Sequence, residues 1–181
     1  MIYFTSDLHL NHDRPFVYEP RGFSSIHEMN ETIMKNIMET ITDEDELFIL
    51  GDLMLHDNSA ISFIKEVRGK VHIVRGNHDT DERMRLYREC ENVVEVCEGK
   101  FLRYGRWQFY LSHWPAITSR PDDQKKPTSR RISLCGHTHT DDKFLDFEHG
   151  LIYHVEVDAH NMMPVSIEEI LEDIRWKLGS G

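Results

Sequence analysis

The sequence predicts an α/β fold in which two β-sheets pack face to face with helices on the outside. Three observations support this fold. Short apolar runs alternate with helical periodicity in the first half, strand-like runs dominate the second half, and an amphipathic segment closes the chain. Apolar strands that alternate with helices are typical of βαβ units on a mostly parallel sheet. The 181 residues are enough for one domain with a full hydrophobic core.

Three apolar runs in the first half end abruptly in polar residues, and we interpret them as strands. They are 2–5, 47–50 and 71–74. Isoleucines and other apolar residues recur at intervals of three or four between these runs. This spacing predicts two helices, over 26–41 and over 61–67.

After Tyr87 the pattern changes to strand-like runs separated by hairpin-type breaks at Gly99 and Gly105. The predicted strands are 93–96, 101–104, 107–111, 131–135 and 151–155. A last helix is expected to begin after Ser166, because a serine N-cap with Glu169 three residues later forms a capping box.

Composition excludes several classes of protein. The net charge of −11, from 32 acidic and 21 basic residues, disfavours extended nonspecific binding to a nucleic-acid backbone. It still allows binding of a nucleotide or of a short nucleic-acid end. The 3 cysteines are an odd number without a CxxC spacing, which indicates a reducing, cytoplasmic location. We expect no membrane span and no signal peptide, because no apolar run is long enough and no basic region precedes the first strand.

One polar segment, 116–130, is predicted to lack regular structure. Its basic residues are Arg120, Lys125, Lys126 and Arg130. These charges either steer a phosphate toward the protein or form a solvated surface loop, and the sequence leaves both readings open.

Five polar clusters, each directly after a predicted strand, contain residues that commonly bind metals. They are Asp7-Leu8-His9, Gly51-Asp52, Gly76-Asn77-His78-Asp79, His113 and Gly136-His137-Thr138-His139. Ligands of open α/β sheets bind at the carboxyl ends of the strands, so we expect these clusters to meet in one crevice. The alternative, that these side chains only cap loops or fill the core, does not account for their repeated position after strands.

The ligand types indicate which ions such a crevice would bind. Mixed oxygen and nitrogen ligands suit Mn, Fe, Zn, Co or Ni, whereas Ca and Mg favour oxygen alone. The clusters hold more ligands than one ion would use, and two ions that share a bridging carboxylate activate water for in-line phosphoryl displacement. The sequence therefore predicts a centre for two divalent transition-metal ions, with Mn favoured.

Together the five clusters resemble the signature of the calcineurin-like metallophosphoesterases, whose blocks span residues 7–139 here in the family's order. The resemblance implies a four-layer αββα fold with two mixed β-sheets. It also implies a single metallophosphoesterase domain over 1–181, without a cap domain.

The resemblance further implies a role for each residue. The ligands of one ion would be Asp7, His9 and His139. The ligands of the other would be Asn77, His113 and His137. Asp52 would bridge the two ions. His78 would not bind metal but would approach the scissile phosphate, where it would donate a proton to the leaving group or stabilise charge.

The predicted activity is hydrolysis of a phosphodiester or phosphomonoester by in-line attack of a metal-bridging hydroxide. His78 favours diesters, because their poor leaving groups benefit from a proton donor. The expected partner is a small phosphorylated substrate, a nucleotide or a short nucleic-acid end, and not a membrane. Two alternatives remain: a nuclease that acts on nucleic-acid ends, and a metal-binding regulatory module without turnover.

Some residues near the clusters have two readings. His12, at a position where relatives often carry a Gly-His pair, either contacts substrate or caps a loop. Trp114, directly after His113, either forms an apolar wall of the site or packs within its loop. Asp79 is expected to orient His78, and His56 and Asp57 are candidates for the outer acceptors that metal-binding imidazoles need.

Overall fold

The computed structural model describes residues 1–55, 58, 60–118, 131–145 and 151–179. The helices are α1 (Pro15–Tyr18), α2 (Ile26–Thr40), α3 (Ile61–Glu66), α4 (Asp81–Arg88) and α5 (Ile167–Gly179), with a 3-10 turn at Val157–His160. The strands are β1 (Ile2–Thr5), β2 (Glu46–Leu50), β3 (Lys70–Val74), β4 (Val93–Cys97), β5 (Lys100–Tyr104), β6 (Trp107–Leu111), β7 (Arg131–Cys135), β8 (Leu151–His154) and β9 (Val165–Ser166). The described residues do not include His56, Asp57 or positions 119–130 of the polar segment 116–130. The expectations for these residues therefore stay predictions.

The described strands form two mixed sheets. The first has the order β4-β3-β2-β1-β9, in which β1 to β4 are parallel and β9 is antiparallel to β1. The second has the order β5-β6-β7-β8, in which only the pairing of β5 with β6 is antiparallel. Since β1 to β3 run parallel in one sheet and β6 and β7 in the other, the strand ends that carry the five clusters lie at common edges.

Two hydrophobic clusters hold these layers together. Side chains alternate along a strand, so Leu47 and Ile49 of β2 face α2 to α4, whereas Phe48 faces the second sheet. Between the sheets, Phe4 and Phe48 stack with ring centroids 5.3 Å apart. The second sheet contributes Phe109, Leu111, Ile132, Leu134 and Tyr153 to this cluster. The apolar residues of α5 that recur at intervals of three or four are buried in the same cluster. They are Ile167, Ile170, Leu171 and Ile174. Two mixed sheets flanked by helices confirm the predicted fold class.

The structure adds elements that the pattern did not predict. α4 was missed because most of its eight residues are charged and little apolar periodicity remains. β9 has only two residues, too few to show any alternation. The capping box is confirmed: the Glu169 amide donates to Ser166 Oγ at 3.2 Å, and the Ser166 amide donates to Glu169 Oε2 at 3.0 Å. Among the described helices, none combines the length and apolar character that crossing a membrane requires.

Candidate metal centre

All five polar clusters lie at the carboxyl ends of strands, after β1, β2, β3, β6 and β7. At these ends the chain turns sharply through residues with left-handed φ, a conformation that non-glycine residues rarely adopt. These residues are Asp7 (φ 56°), His9 (48°), Asp52 (53°), His137 (76°) and His139 (49°). Such strain concentrates at functional sites. Here it falls on five of the seven predicted metal ligands.

Asp7, His9 and His139 form the first group. The Nε2 atoms of His9 and His139 lie 3.1 Å apart, and they lie 3.8 Å and 3.7 Å from Asp7 Oδ1. Asp7 is fully buried, and its Oδ1 has no hydrogen-bond partner among the described residues. A buried carboxylate oxygen without a donor is costly. Since two imidazole nitrogens face it, this group fits a cation.

Asn77, His113 and His137 form the second group. His113 Nε2 and His137 Nδ1 lie 2.8 Å and 2.9 Å from Asn77 Oδ1, and 3.2 Å from each other. The other nitrogen of His113, Nδ1, lies 2.9 Å from the Leu50 carbonyl oxygen, to which it donates. That hydrogen bond leaves the lone pair on Nε2, which faces the group.

Asp52 lies between the two groups. Its Oδ2 is 3.7 Å from His9 Nε2 and 3.5 Å from His113 Nε2. Its Oδ1 accepts a hydrogen bond of 2.8 Å from the His78 amide. The structure therefore brings all seven predicted ligands together, with Asp52 where a bridging carboxylate is expected.

His78 lies at the solvent-facing side of this cluster, with 41% of its side chain exposed and its Nε2 3.8 Å from Asp52 Oδ2. The carbonyl of His78 accepts a 2.7 Å hydrogen bond from Arg83, which fixes its loop. His78, His9 and Asp52 also form a third group whose ligand atoms lie within 4.8 Å of one another. The geometry is therefore compatible with His78 as a proton donor and with His78 as a ligand, and metal content distinguishes the two.

The electrostatics act in opposite directions on the two imidazoles of the first group. Burial acts to lower the pKa of His139, but the hydrogen bond with Asp158 and the charge of Asp7 outweigh it and raise that pKa. Burial acts to raise the pKa of Asp7, but the neighbouring His9 imidazole and the charges of His113 and His139 outweigh it and lower the pKa to about 2. Burial lowers the pKa of His9. The Asp7 carboxylate is thus ionised and the His9 imidazole neutral at pH 7, which are the forms that bind a cation.

An ion pair between two residues far apart in the sequence supports the first group. Arg21 donates to Asp158 through Nε at 2.8 Å and Nη2 at 2.7 Å, and Nη2 also donates to the Asp7 carbonyl at 2.8 Å. Asp158 Oδ2 lies 3.4 Å from His139 Nδ1. Carboxylates in this position orient metal-binding imidazoles and raise their basicity. Arg21 and Asp158 are 137 positions apart, so no local motif could have shown them.

A second buried carboxylate, Glu156, holds the loop that carries His137 and His139. It accepts hydrogen bonds from the Thr138 amide at 3.1 Å, the Thr138 hydroxyl at 3.0 Å and the Thr140 amide at 2.7 Å. Because Glu156 is fully buried, these contacts fix the loop against the end of β7.

Asp79 corrects one expectation from the sequence. Its Oδ2 accepts from the amides of Asp52 at 2.9 Å and Gly76 at 2.8 Å, and its Oδ1 accepts from Tyr87 Oη at 2.9 Å. Asp79 therefore positions the Asp52 loop, and not the His78 ring as expected. Burial raises the pKa of Asp79, because these donors do not fully offset the loss of water.

Two glycines allow the clusters to approach each other. A Cβ on Gly136 would lie 2.0 Å from Asp7 Oδ2 and 2.1 Å from Ser6 Oγ. A Cβ on Gly76 would lie 2.2 Å from Asp52 Oδ1. Only glycine fits at such distances. The close packing of the candidate ligands therefore requires a glycine at both positions.

The fold and the site together define a metallophosphoesterase-like protein, and sequence comparison agrees. Residues 1–154 match the calcineurin-like phosphoesterase superfamily domain, so the chain belongs to that family. The predicted family is confirmed.

Two relatives match over most of their length. An uncharacterised protein of Methanocaldococcus jannaschii is 30% identical over 178 residues, which cover 94% of this chain and 89% of that protein. The gene 66 protein of Mycobacterium phage L5 is 25% identical over 193 residues, which cover 94% of this chain and 92% of that protein.

Solved structures show the same fold. A protein of unknown function from Aquifex aeolicus superposes with a TM-score of 0.72 at 23% identity, over 95% of this chain and 98% of that chain. Yfce, a phosphoesterase from E. coli, superposes with a TM-score of 0.50 at 19% identity, over 86% of this chain and 77% of that chain.

Proposed function

We propose that the protein hydrolyses phosphodiesters with the help of two divalent cations. The observation that carries the proposal is the pair of ligand groups joined by Asp52, whose carboxylate lies within 3.7 Å of an imidazole nitrogen of each group. The substrate would be a small phosphodiester, with phosphomonoesters as slower substrates.

The residues fit two cations. Asp7, His9 and His139 would hold one ion, Asn77, His113 and His137 the other, and Asp52 both. When bound, the two ions would lower the pKa of a water and neutralise phosphate charge. The mixed ligand set suits Mn²⁺, with Fe, Zn, Co and Ni as alternatives.

The side chains of this protein would bind and orient the phosphate. Asn77 contributes a neutral carbonyl oxygen, so the centre keeps more positive charge toward an anionic substrate than it would with a third carboxylate. His78 is half-exposed beside Asp52, where its ring would reach a leaving group. An imidazole can donate a proton near neutral pH, and the alkoxide that leaves a diester needs one.

We also propose a cytoplasmic setting, which the free thiols support. Cys90, Cys97 and Cys135 are all free, and Cys90 and Cys135 are buried. Free thiols are typical of a reducing compartment, so we place the activity in the cytoplasm.

The test uses metal-stripped protein that is reloaded with Mn²⁺. We expect turnover of bis(p-nitrophenyl) phosphate to exceed that of p-nitrophenyl phosphate, and EDTA to abolish both. The Asp52→Asn variant should lose turnover, whereas Asp173→Asn, which alters an acidic side chain on α5, should not. Monoester turnover alone would contradict the diester preference. Turnover of neither ester with Mn, Fe, Zn, Co or Ni would contradict the proposal.

A further inference from the structure

Two exposed aromatic side chains lie beside the candidate metal centre. Phe16 of α1 is 71% exposed, and Trp114, which follows β6, is 44% exposed. Single exposed apolar residues are common on protein surfaces. Both rings contact imidazoles at or beside the centre: Phe16 contacts His12, and Trp114 contacts His113 and His137.

Phe16 lies at one end of the centre. Its ring packs edge-on against His12, with centroids 5.6 Å apart and planes at 88°. The His12 ring lies 5.4 Å from that of His9 and 6.1 Å from that of His78. A cleft of about 190 Å³ opens here. Its apolar residues are Phe16, Val17 and Pro20, and its imidazoles are those of His9, His12, His78 and His139. The cleft therefore joins the first ligand group to an apolar wall.

Trp114 lies beside the second ligand group. Its ring is 5.2 Å from the His113 ring, edge-on at 82°, and 6.3 Å from the His137 ring. His113 and His137 belong to the second ligand group. His12 and Trp114 therefore both lie beside the site, which the substrate-contact reading of His12 and the apolar-wall reading of Trp114 require.

Pairwise contacts connect the two rings through the centre. In order, the connected side chains are Phe16, His12, His9, Asp52, His113 and Trp114. A phosphate bound between the two ligand groups would have Phe16 near the first group and Trp114 near the second, one aromatic ring for each of its two ester groups. A monoester carries only one such group, so it could contact only one of the two rings.

We propose that Phe16 and Trp114 each stack on one of two planar groups esterified to the same phosphate, so that the substrate is a diester of two nucleosides. This inference rests on the proposed function and specifies its substrate. Aromatic side chains stack on any base because every base has a π-face. The net charge of −11 favours a substrate with few phosphates, so a dinucleotide or the last two residues of a single strand fits better than a long polymer.

The test compares two chromogenic diesters with the same leaving group. Thymidine 5′-(p-nitrophenyl) phosphate has two planar groups, and methyl p-nitrophenyl phosphate has one. We expect Phe16→Ala and Trp114→Ala each to raise KM for the thymidine ester by roughly tenfold, the size of one stacking contact. Only one of the two variants should raise KM for the methyl ester. Phe101→Ala and Trp176→Ala, which remove exposed aromatic rings on β5 and α5, should leave both values unchanged.

Binding provides a second readout that does not depend on turnover. A dinucleoside monophosphate should quench tryptophan fluorescence, and Phe16→Ala should raise its Kd by roughly tenfold. A single-stranded oligonucleotide that binds no better than the dinucleotide would identify the short diester as the ligand. An oligonucleotide that binds much more tightly than the dinucleotide would identify the end of a single strand as the ligand.

The outcomes separate this inference from the proposed function. If the wild type hydrolyses the diesters and both variants keep KM within twofold, the stacking role is wrong and the phosphodiesterase proposal stands. If no diester is hydrolysed, the proposed function fails, and an unchanged dinucleotide Kd in Phe16→Ala would then refute the stacking as well. Thermal unfolding of each variant verifies that the exposed substitutions leave the fold intact.

Discussion

Replacing Asp158 with asparagine is expected to weaken the binding of one cation. Asp158 receives two hydrogen bonds from Arg21, at 2.7 Å and 2.8 Å, and lies 3.4 Å from His139 Nδ1. Its carboxylate therefore orients His139 so that Nε2 faces Asp7. Loss of such an outer carboxylate costs about 10- to 100-fold in metal affinity. That range equals roughly 1.4 to 2.7 kcal/mol of binding free energy.

The same change is expected to lower stability. The Arg21 side chain is 2% exposed, so an uncharged amide in place of the Asp158 carboxylate would leave a buried guanidinium without its counter-ion. Removing one partner of a buried ion pair costs roughly 3 kcal/mol or more. For a chain of this size, the melting temperature would fall by roughly 6–12 °C. The double variant Arg21→Met/Asp158→Asn removes the unpaired charge and should recover part of this loss without restoring metal affinity.

Calorimetric titration of metal-stripped protein with Mn²⁺ measures the effect. Two Mn²⁺ ions should bind. The affinity for one ion should fall 10- to 100-fold, and the affinity for the other should stay at the wild-type value. Asp173→Asn is the matched control. Like Asp158, Asp173 accepts a hydrogen bond from a cationic side chain, Lys143, and it also accepts one from the Tyr153 hydroxyl. Two wild-type affinities in a folded Asp158→Asn protein would refute the reasoning.

Three further substitutions test individual side chains. His78→Ala should lower diester turnover by roughly 10²- to 10⁴-fold while two Mn²⁺ remain bound; loss of an ion would instead make His78 a ligand. Asp79→Ala leaves three buried donors without an acceptor, so the free energy of unfolding in urea should fall by about 3 kcal/mol, and by less in Asp79→Asn; an unchanged value in the alanine variant would contradict the role of Asp79. Gly136→Ala places a Cβ 2.0 Å from Asp7 Oδ2, so Mn²⁺ titration should show one weakened event, and unaltered titration would contradict this packing.

Much of the site could be predicted because its signals are local. Each ligand cluster directly follows an apolar run, and the parallel order of β1 to β3 brings the ends of those runs to one edge. The glycines of the Gly76 and Gly136 clusters mark the points of closest approach. Strand ends, ligand types and glycine positions are all visible in the sequence and predict one crevice of ligands. The division of those ligands between two ions came from the family resemblance.

The supporting residues could not be predicted in the same way. Arg21 and Asp158 meet only through the tertiary fold, because 137 positions separate them in the sequence. Glu156 follows β8 and binds a loop 16 to 18 positions earlier through hydrogen bonds that leave no pattern in the sequence. The Asp79 error has a similar cause. Proximity in sequence suggested His78 as its partner, but a carboxylate buried beneath the loop bonds to the nearest backbone donors.

The most direct test of the two-cation centre is the Mn²⁺ stoichiometry of the metal-stripped protein, with diester turnover followed in the same titration. We predict two ions per chain, turnover that rises as both sites fill, and weaker binding at both sites together with loss of turnover in Asp52→Asn. Full turnover with one ion, or two tightly bound ions and full turnover in Asp52→Asn, would contradict a centre that Asp52 bridges.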